Sequence, residues 1–144
     1  MLTNERRGIY LKRQHLAQEY FRQIPESRIE LSSWIFGTEA QCEAHLTSCG
    51  LKDALVCNTV ACLAGWLFTM PEFCEWRPPN RDGLLSRLED LGAFLGIEYR
   101  SRVFSMRSTY IDGPDANNPG ITDKLLAHRR LDRLIRETKE RGTL

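Results

Sequence analysis

The stretch Cys57-Asn58-Thr59-Val60-Ala61-Cys62-Leu63-Ala64-Gly65-Trp66-Leu67-Phe68-Thr69-Met70, CNTVACLAGWLFTM, is the most apolar part of a 144-residue chain. Asn58 or Thr59 can cap a helix through its side-chain oxygen. Behind that cap, Val60, Ala61, Leu63, Ala64, Leu67 and Phe68 leave almost no polar face. A helix that is apolar all round belongs in the interior. The pattern therefore predicts a buried helix over 59–70, ended by Pro71, with the rest of the chain wrapped around it. Ala61 and Gly65 lie four apart, with Cys57 one turn earlier. A row of small residues lets another helix approach closely, which offsets the ~1 kcal/mol that a glycine costs inside a helix.

Outward from this centre, nearly every segment reads as helix. Thr3 or Asn4 caps the first, whose inner face is Ile9, the stem of Arg13, Leu16, Ala17, Tyr20, Phe21 and Ile24; Pro25 ends it. In residues 26–37, Ile29 and Leu31 alternate as in a short strand. The same residues, with Trp34, Ile35 and Phe36, also suit an extended connector over about 28–36 that tucks its aromatics into the core. Thr38 with Gln41 is a capping box for a helix running to about Cys49, where Gly50 supplies a left-handed cap. Residues 77–80 form a loop, and Asn80 or Asp82 caps a helix with Leu84, Leu85, Leu88, Leu91 and Leu95 on one side, closed by Gly96. A short helix is expected from Glu98 to Met106, with Tyr99, Val103 and Met106 inward. Residues 112–120 are turn-forming, and Thr122 caps a last helix with Ala127, Leu131, Leu134, Ile135 and Thr138 inward. The expected fold is mainly α: a compact single-domain bundle of about five to six helices around the 59–70 helix, with one short extended segment near 28–36.

At this length one domain can bury about 68–70% of the unfolded chain's surface. No apolar run approaches the ~18 residues of a membrane span. The opening MLTNERRGIY has no apolar core region, so no secretory signal is expected. Five cysteines without such a signal are expected to be reduced thiols in the cytoplasm. The formal net charge is +1, but it is unevenly placed: +3 over residues 1–24, −5 over 25–76, zero over 77–121 and +3 over 122–144. If the terminal helices lie together, the molecule has two surfaces of opposite sign.

Three clusters invite a chemical reading. Cys57 and Cys62 are separated by about 140° on a helix, too far round to pair with each other. Cys57 falls near the expected helix start, where the dipole lowers a thiol pKa, but a nucleophile also needs a base such as His45 or His128. Cys42, His45 and Cys49 share a face, but positions 42 and 49 are about 10.5 Å apart along the axis. They cannot all bind one zinc ion at ~2.0–2.3 Å, so a site needs ligands from elsewhere, such as Cys57 or Cys74. Buried structural thiols are the simpler reading of both. The third cluster is cationic: Arg129, Arg130, Arg133 and Arg136, read as lying opposite the last helix's apolar face, extended by Arg100, Arg102 and Arg107. Arginine-rich faces bind phosphate or acidic protein surfaces. No GxxxxGK, GxSxG or HExxH motif is present, and no helix-turn-helix or zinc-finger signature. No catalytic residue, metal ligand or cofactor is assigned.

Trp34 with Gly37, CNTVACLAGW at 57–66, LGAFLGI at 91–97 and VFSM at 103–106 together resemble a widespread group of small bacterial and phage proteins. Their core motif usually reads C-G-T-x-x-C-x-A-G-W or -H; this chain has Asn58 where the group has glycine. The resemblance covers roughly residues 31–141 and implies a shared fold and a bacterial or phage origin. The group carries no established activity, so no catalytic residue follows from it. The N-terminal helix lies outside it and reads as peripheral. The expected function is a non-enzymatic module that binds a host protein or protein complex through charged helices, one form being a phage counter-defence inhibitor of the anti-CRISPR kind. Nucleic-acid binding through the basic terminal helices, a small cysteine-dependent enzyme or small-molecule binder, and a zinc-stabilised module are the alternatives. No membrane partner is expected.

Overall fold

Three threonines set the frame. Thr3 Oγ1 accepts from the Arg6 amide at 3.1 Å and opens α1 (Asn4–Arg22). Thr38 accepts from Gln41 while the Gln41 side chain accepts from the Thr38 amide, a complete capping box that opens α2 (Glu39–Thr47). Thr122 accepts from Leu125 and opens α8 (Asp123–Glu140). The computed structural model describes residues 2–78 and 83–141. Between these helices lie β1 (Ile35–Phe36), α3 (Leu51–Val56), β2 (Val60–Ala61), α4 (Leu63–Leu67), α5 (Pro71–Trp76), α6 (Leu84–Leu95) and α7 (Thr109–Asp112). Short 3-10 turns occupy Glu26–Arg28, Arg102–Phe104 and Gly113–Asn117.

The fold is mainly α around one hydrophobic core, as the pattern predicts, with the 61–70 stretch at its centre: every residue from Ala61 to Met70 is buried. The predicted helix over 59–70 is corrected in its form. Val60 and Ala61 form β2, antiparallel to β1 with Ile35 opposite Ala61 and Phe36 opposite Val60; Ile29 bridges to Ala61 on the other side. The extended segment near 28–36 is thus what converts the start of the apolar run into a strand. Asn58 holds φ at 56°, a left-handed bend that no helix start uses. Cys62 takes over the capping role: its Sγ accepts from the Gly65 amide at 3.5 Å. Eight α-helices stand among the described residues rather than five to six, because α3, α4, α5 and α7 are single short turns.

Three boundaries also shift. Gly50, at φ 111°, opens α3 instead of closing α2. Pro71 sits in the first turn of α5, where its missing N–H costs nothing, and so starts a helix. The expected helix from Glu98 to Met106 shrinks to the Arg102–Phe104 turn, because the carbonyls of Val103, Ser105 and Met106 accept from the Arg130 guanidinium. Phe104 is inward and Met106 outward. The 112–120 loop contains the Gly113–Asn117 turn and a side-chain turn in which Asn118 Oδ1 accepts from the Gly120 amide. The expected caps Asn80 and Asp82 lie outside the described residues.

The N-terminal helix is not peripheral. Gln14, Ala17, Tyr20 and Phe21 are buried, and α1 packs along α8. Gln14 Nε2 donates to Leu95 O and Thr138 Oγ1, both at 2.9 Å, and Phe21 meets His128 edge-on at 5.5 Å. Both basic ends of the chain therefore lie side by side.

Candidate functional site

The seven arginines of the sequence's cationic cluster fall into two classes. Arg130 is 2% exposed and lies within the apolar row of α8, not opposite it. Its Nε and Nη2 donate to Asp112 Oδ1 and Oδ2 at 2.9 and 2.7 Å, and the remaining N–H groups go to the three carbonyls named above. Burial alone would push the Asp112 carboxyl up. The Arg130 fork and the Ser108 amide outweigh it and hold the group below its ordinary range. Arg107 is a second clamp, donating to Ala116 O, Asp115 O and Asn118 O and to Asp123 Oδ1 at 3.0 Å. Arg129 pairs with Asp115 on the surface. These three are bound within the molecule.

Arg100, Arg102, Arg133 and Arg136 differ: among the described residues they form no ion pair. Two are held by tyrosines. The Arg100 guanidinium lies 5.3 Å from the Tyr99 ring centroid and donates to its hydroxyl; Arg102 lies 4.7 Å from Tyr110 and does the same at 2.8 Å. Stacking on a phenol ring fixes a guanidinium without neutralising it. Arg133 donates to Ile111 O at 3.2 Å, and Arg136 extends into solvent on the outer side of α8. Arg102 and Arg133 face one hollow of about 320 Å³, with Arg141, Glu98 and Glu137 on its rim. A second hollow, of about 510 Å³, lies across Ser101 beneath Trp34, with Arg100 on its lip.

Sequence reasoning missed this second hollow. Trp34, Leu85 and Met106 were expected inward but stand 45%, 58% and 59% exposed around it. A signal existed for Leu85. Leu84, Leu88, Leu91 and Leu95 form a helical row, and Leu85 is about 100° off it.

The expectation of buried thiols holds for Cys62 alone: Cys42, Cys57 and Cys74 are half-buried and Cys49 is exposed. Cys62 is buried, and burial pushes its thiol up. Cys57 closes α3 instead of opening a helix, so no N-terminal dipole acts on it; its Sγ donates to Asp53 O at 3.5 Å. Cys42 donates to Ile35 O and Gly37 O, and Cys74 to Ser48 O and Phe68 O. Burial, with Cys49 alongside, pushes the Cys74 thiol up to about 12. His45 is fully buried with both ring nitrogens engaged. Its Nε2–H donates to Gly65 O at 2.8 Å, which leaves Nδ1 to accept from the Thr59 hydroxyl at 2.7 Å. Neither nitrogen is left for a metal ion or a thiol. Among the described residues no group of three or more His, Cys, Asp or Glu is arranged to hold a metal ion, and no helix is long and apolar enough to cross a membrane. Compared with protein-family models, curated proteins and solved structures, the chain matches none.

Proposed function

We propose that the chain is a non-enzymatic, cytoplasmic protein-binding module of bacterial or phage origin that docks on an acidic surface of a host protein or complex. Its binding groups are Arg100, Arg102, Arg133 and Arg136. One observation supports this reading: among the described residues these four guanidiniums form no ion pair, and two are fixed on tyrosine rings, while Arg107, Arg129 and Arg130 in the same region are paired. A guanidinium fixed in advance loses less freedom when a carboxylate arrives, and arginine is enriched among residues that dominate interfaces. The concrete form is an inhibitor that occupies a host complex, as an anti-CRISPR protein does.

The test compares wild type with a variant in which all four arginines become glutamate. Capture from native host lysate at physiological salt should retain a discrete partner on wild type and lose it on the variant. Equal retention by both rejects the arginine face. Retention of DNA or RNA, falling steeply with salt, assigns the face to nucleic acid instead.

A further inference from the structure

We propose that the groove beneath Trp34 is the anchor point of that partner, taking one large apolar side chain from a partner segment whose neighbouring residues are acidic. The inference rests on the arginine-face reading and adds what the partner must carry. Four chain segments build the groove: the connector at 31–34, Cys62 ahead of α4, the first turns of α6, and residues 99–106. Its floor is buried and apolar, from Cys62, Leu88 and Phe104. Trp34, Leu85 and Met106 stand exposed at its mouth. Single exposed apolar side chains are ordinary; the proposal uses three that line one hollow over a buried apolar floor. A volume of about 510 Å³ accommodates a phenylalanine or leucine side chain with its flanking backbone.

The mouth is held in position. The Trp34 carbonyl accepts from the Cys62 amide at 3.3 Å, so the backbone is fixed to the core while the indole faces outward. A tryptophan whose backbone is set before binding loses little freedom on binding.

Charge selects the occupant. Among the described residues lining the groove, Arg100 is the only charged one, and no carboxylate lines it. Across Ser101 lie Arg102 and Arg133, which form no ion pair among the described residues although Glu98 and Glu137 line the same hollow. An apolar anchor flanked by lysine or arginine would bring like charges together, whereas one flanked by aspartate or glutamate pairs them.

A display library of short random peptides, panned on the full chain, tests this. The expected result is enrichment of peptides with one large apolar residue beside aspartate or glutamate. Their affinity should fall about tenfold or more in a Leu85→Lys, Met106→Lys double variant. Binding should also shift the Trp34 emission to the blue, a shift missing in Trp34→Phe. Both substituted leucine and methionine side chains are exposed, so an unchanged melting temperature is expected in the variant. Acidic peptides that bind the double variant as well as wild type overturn the groove and leave the arginine face standing. Apolar peptides without acidic residues overturn both. If no peptide is enriched and the double variant abolishes self-association in sedimentation, the occupant is a second copy and the proposal falls.

Discussion

A methyl group on Gly65 would sit 2.3 Å from the Trp34 carbonyl oxygen and 2.8 Å from the Ala61 Cβ. The close neighbour is thus the extended connector, not a second helix as the row of small residues suggests. That carbonyl cannot retreat freely, since it accepts from Cys62. Gly65→Ala should therefore lower stability by about 1–3 kcal/mol, an overpacking cost, read from urea denaturation. A loss within experimental error would mean the connector yields. Asn58 presents the opposite case. It is exposed, and its φ is 56°. Asparagine tolerates that region better than other non-glycine residues. Asn58→Gly should change stability by less than about 0.5 kcal/mol, and Asn58→Val should cost about 1–2 kcal/mol through the backbone alone. Equal stability of the glycine and valine variants would show that the bend is not required.

Arg130 does for the 102–112 segment what backbone hydrogen bonds do for a helix. It takes three carbonyls and both oxygens of Asp112, and so fixes the Arg102–Phe104 turn and α7 against α8. Arg130→Met leaves three carbonyls without this donor and a buried carboxylate with only the Ser108 amide, and should cost about 3–5 kcal/mol. Adding Asp112→Asn should recover part of the loss, because no lone charge then remains inside. Strict additivity of the two substitutions would show that the pair is not coupled. The position of Arg130 was legible, since it falls in the helical row of Ala127, Leu131 and Leu134; its partner, eighteen residues back in a turn-forming loop, was not. The same division holds elsewhere. Thr3, Thr38, Thr122 and Gly96 act through neighbours three or four residues away, and each placed its helix end correctly. Val60 and Ala61 fit a helix by pattern and became a strand only because Ile29 and Ile35 lie on either side, a pairing that no local window contains. The arginine face was half legible. Composition named seven candidates, and only side-chain pairing separated the three with internal carboxylate or carbonyl clamps from the four that form no ion pair among the described residues.

With α1 and α8 side by side, the basic ends of the chain share one side, and Glu39, Glu43, Asp53, Glu72 and Glu75 are exposed on α2, α3 and α5. This arrangement also shapes the response to acid. Burial lowers the pKa of His45, and nearby Arg28 adds to the effect. Burial likewise lowers that of His128, where Arg22 and Lys124 outweigh Asp132 and Glu19. In the unfolded chain both return to the ordinary value of 6.5. Below that pH the unfolded state binds protons that the folded state refuses, so stability rises with pH and is lost as pH falls through 6.5 toward the folded values. Above about pH 7 the curve should be flat on this account. Each histidine contributes a slope of at most about 1.4 kcal/mol per pH unit within its window. Asp112, whose folded pKa is also depressed, adds a further loss only below its ordinary 3.8. His45→Gln keeps a donor for Gly65 O and an acceptor for Thr59 but cannot titrate. Urea denaturation between pH 7 and 5 should show a shallower slope for this variant than for wild type, and a shallower one still when His128→Gln is added. Parallel curves for wild type and His45→Gln would mean that the folded protein protonates His45 at the same pH as the unfolded chain does.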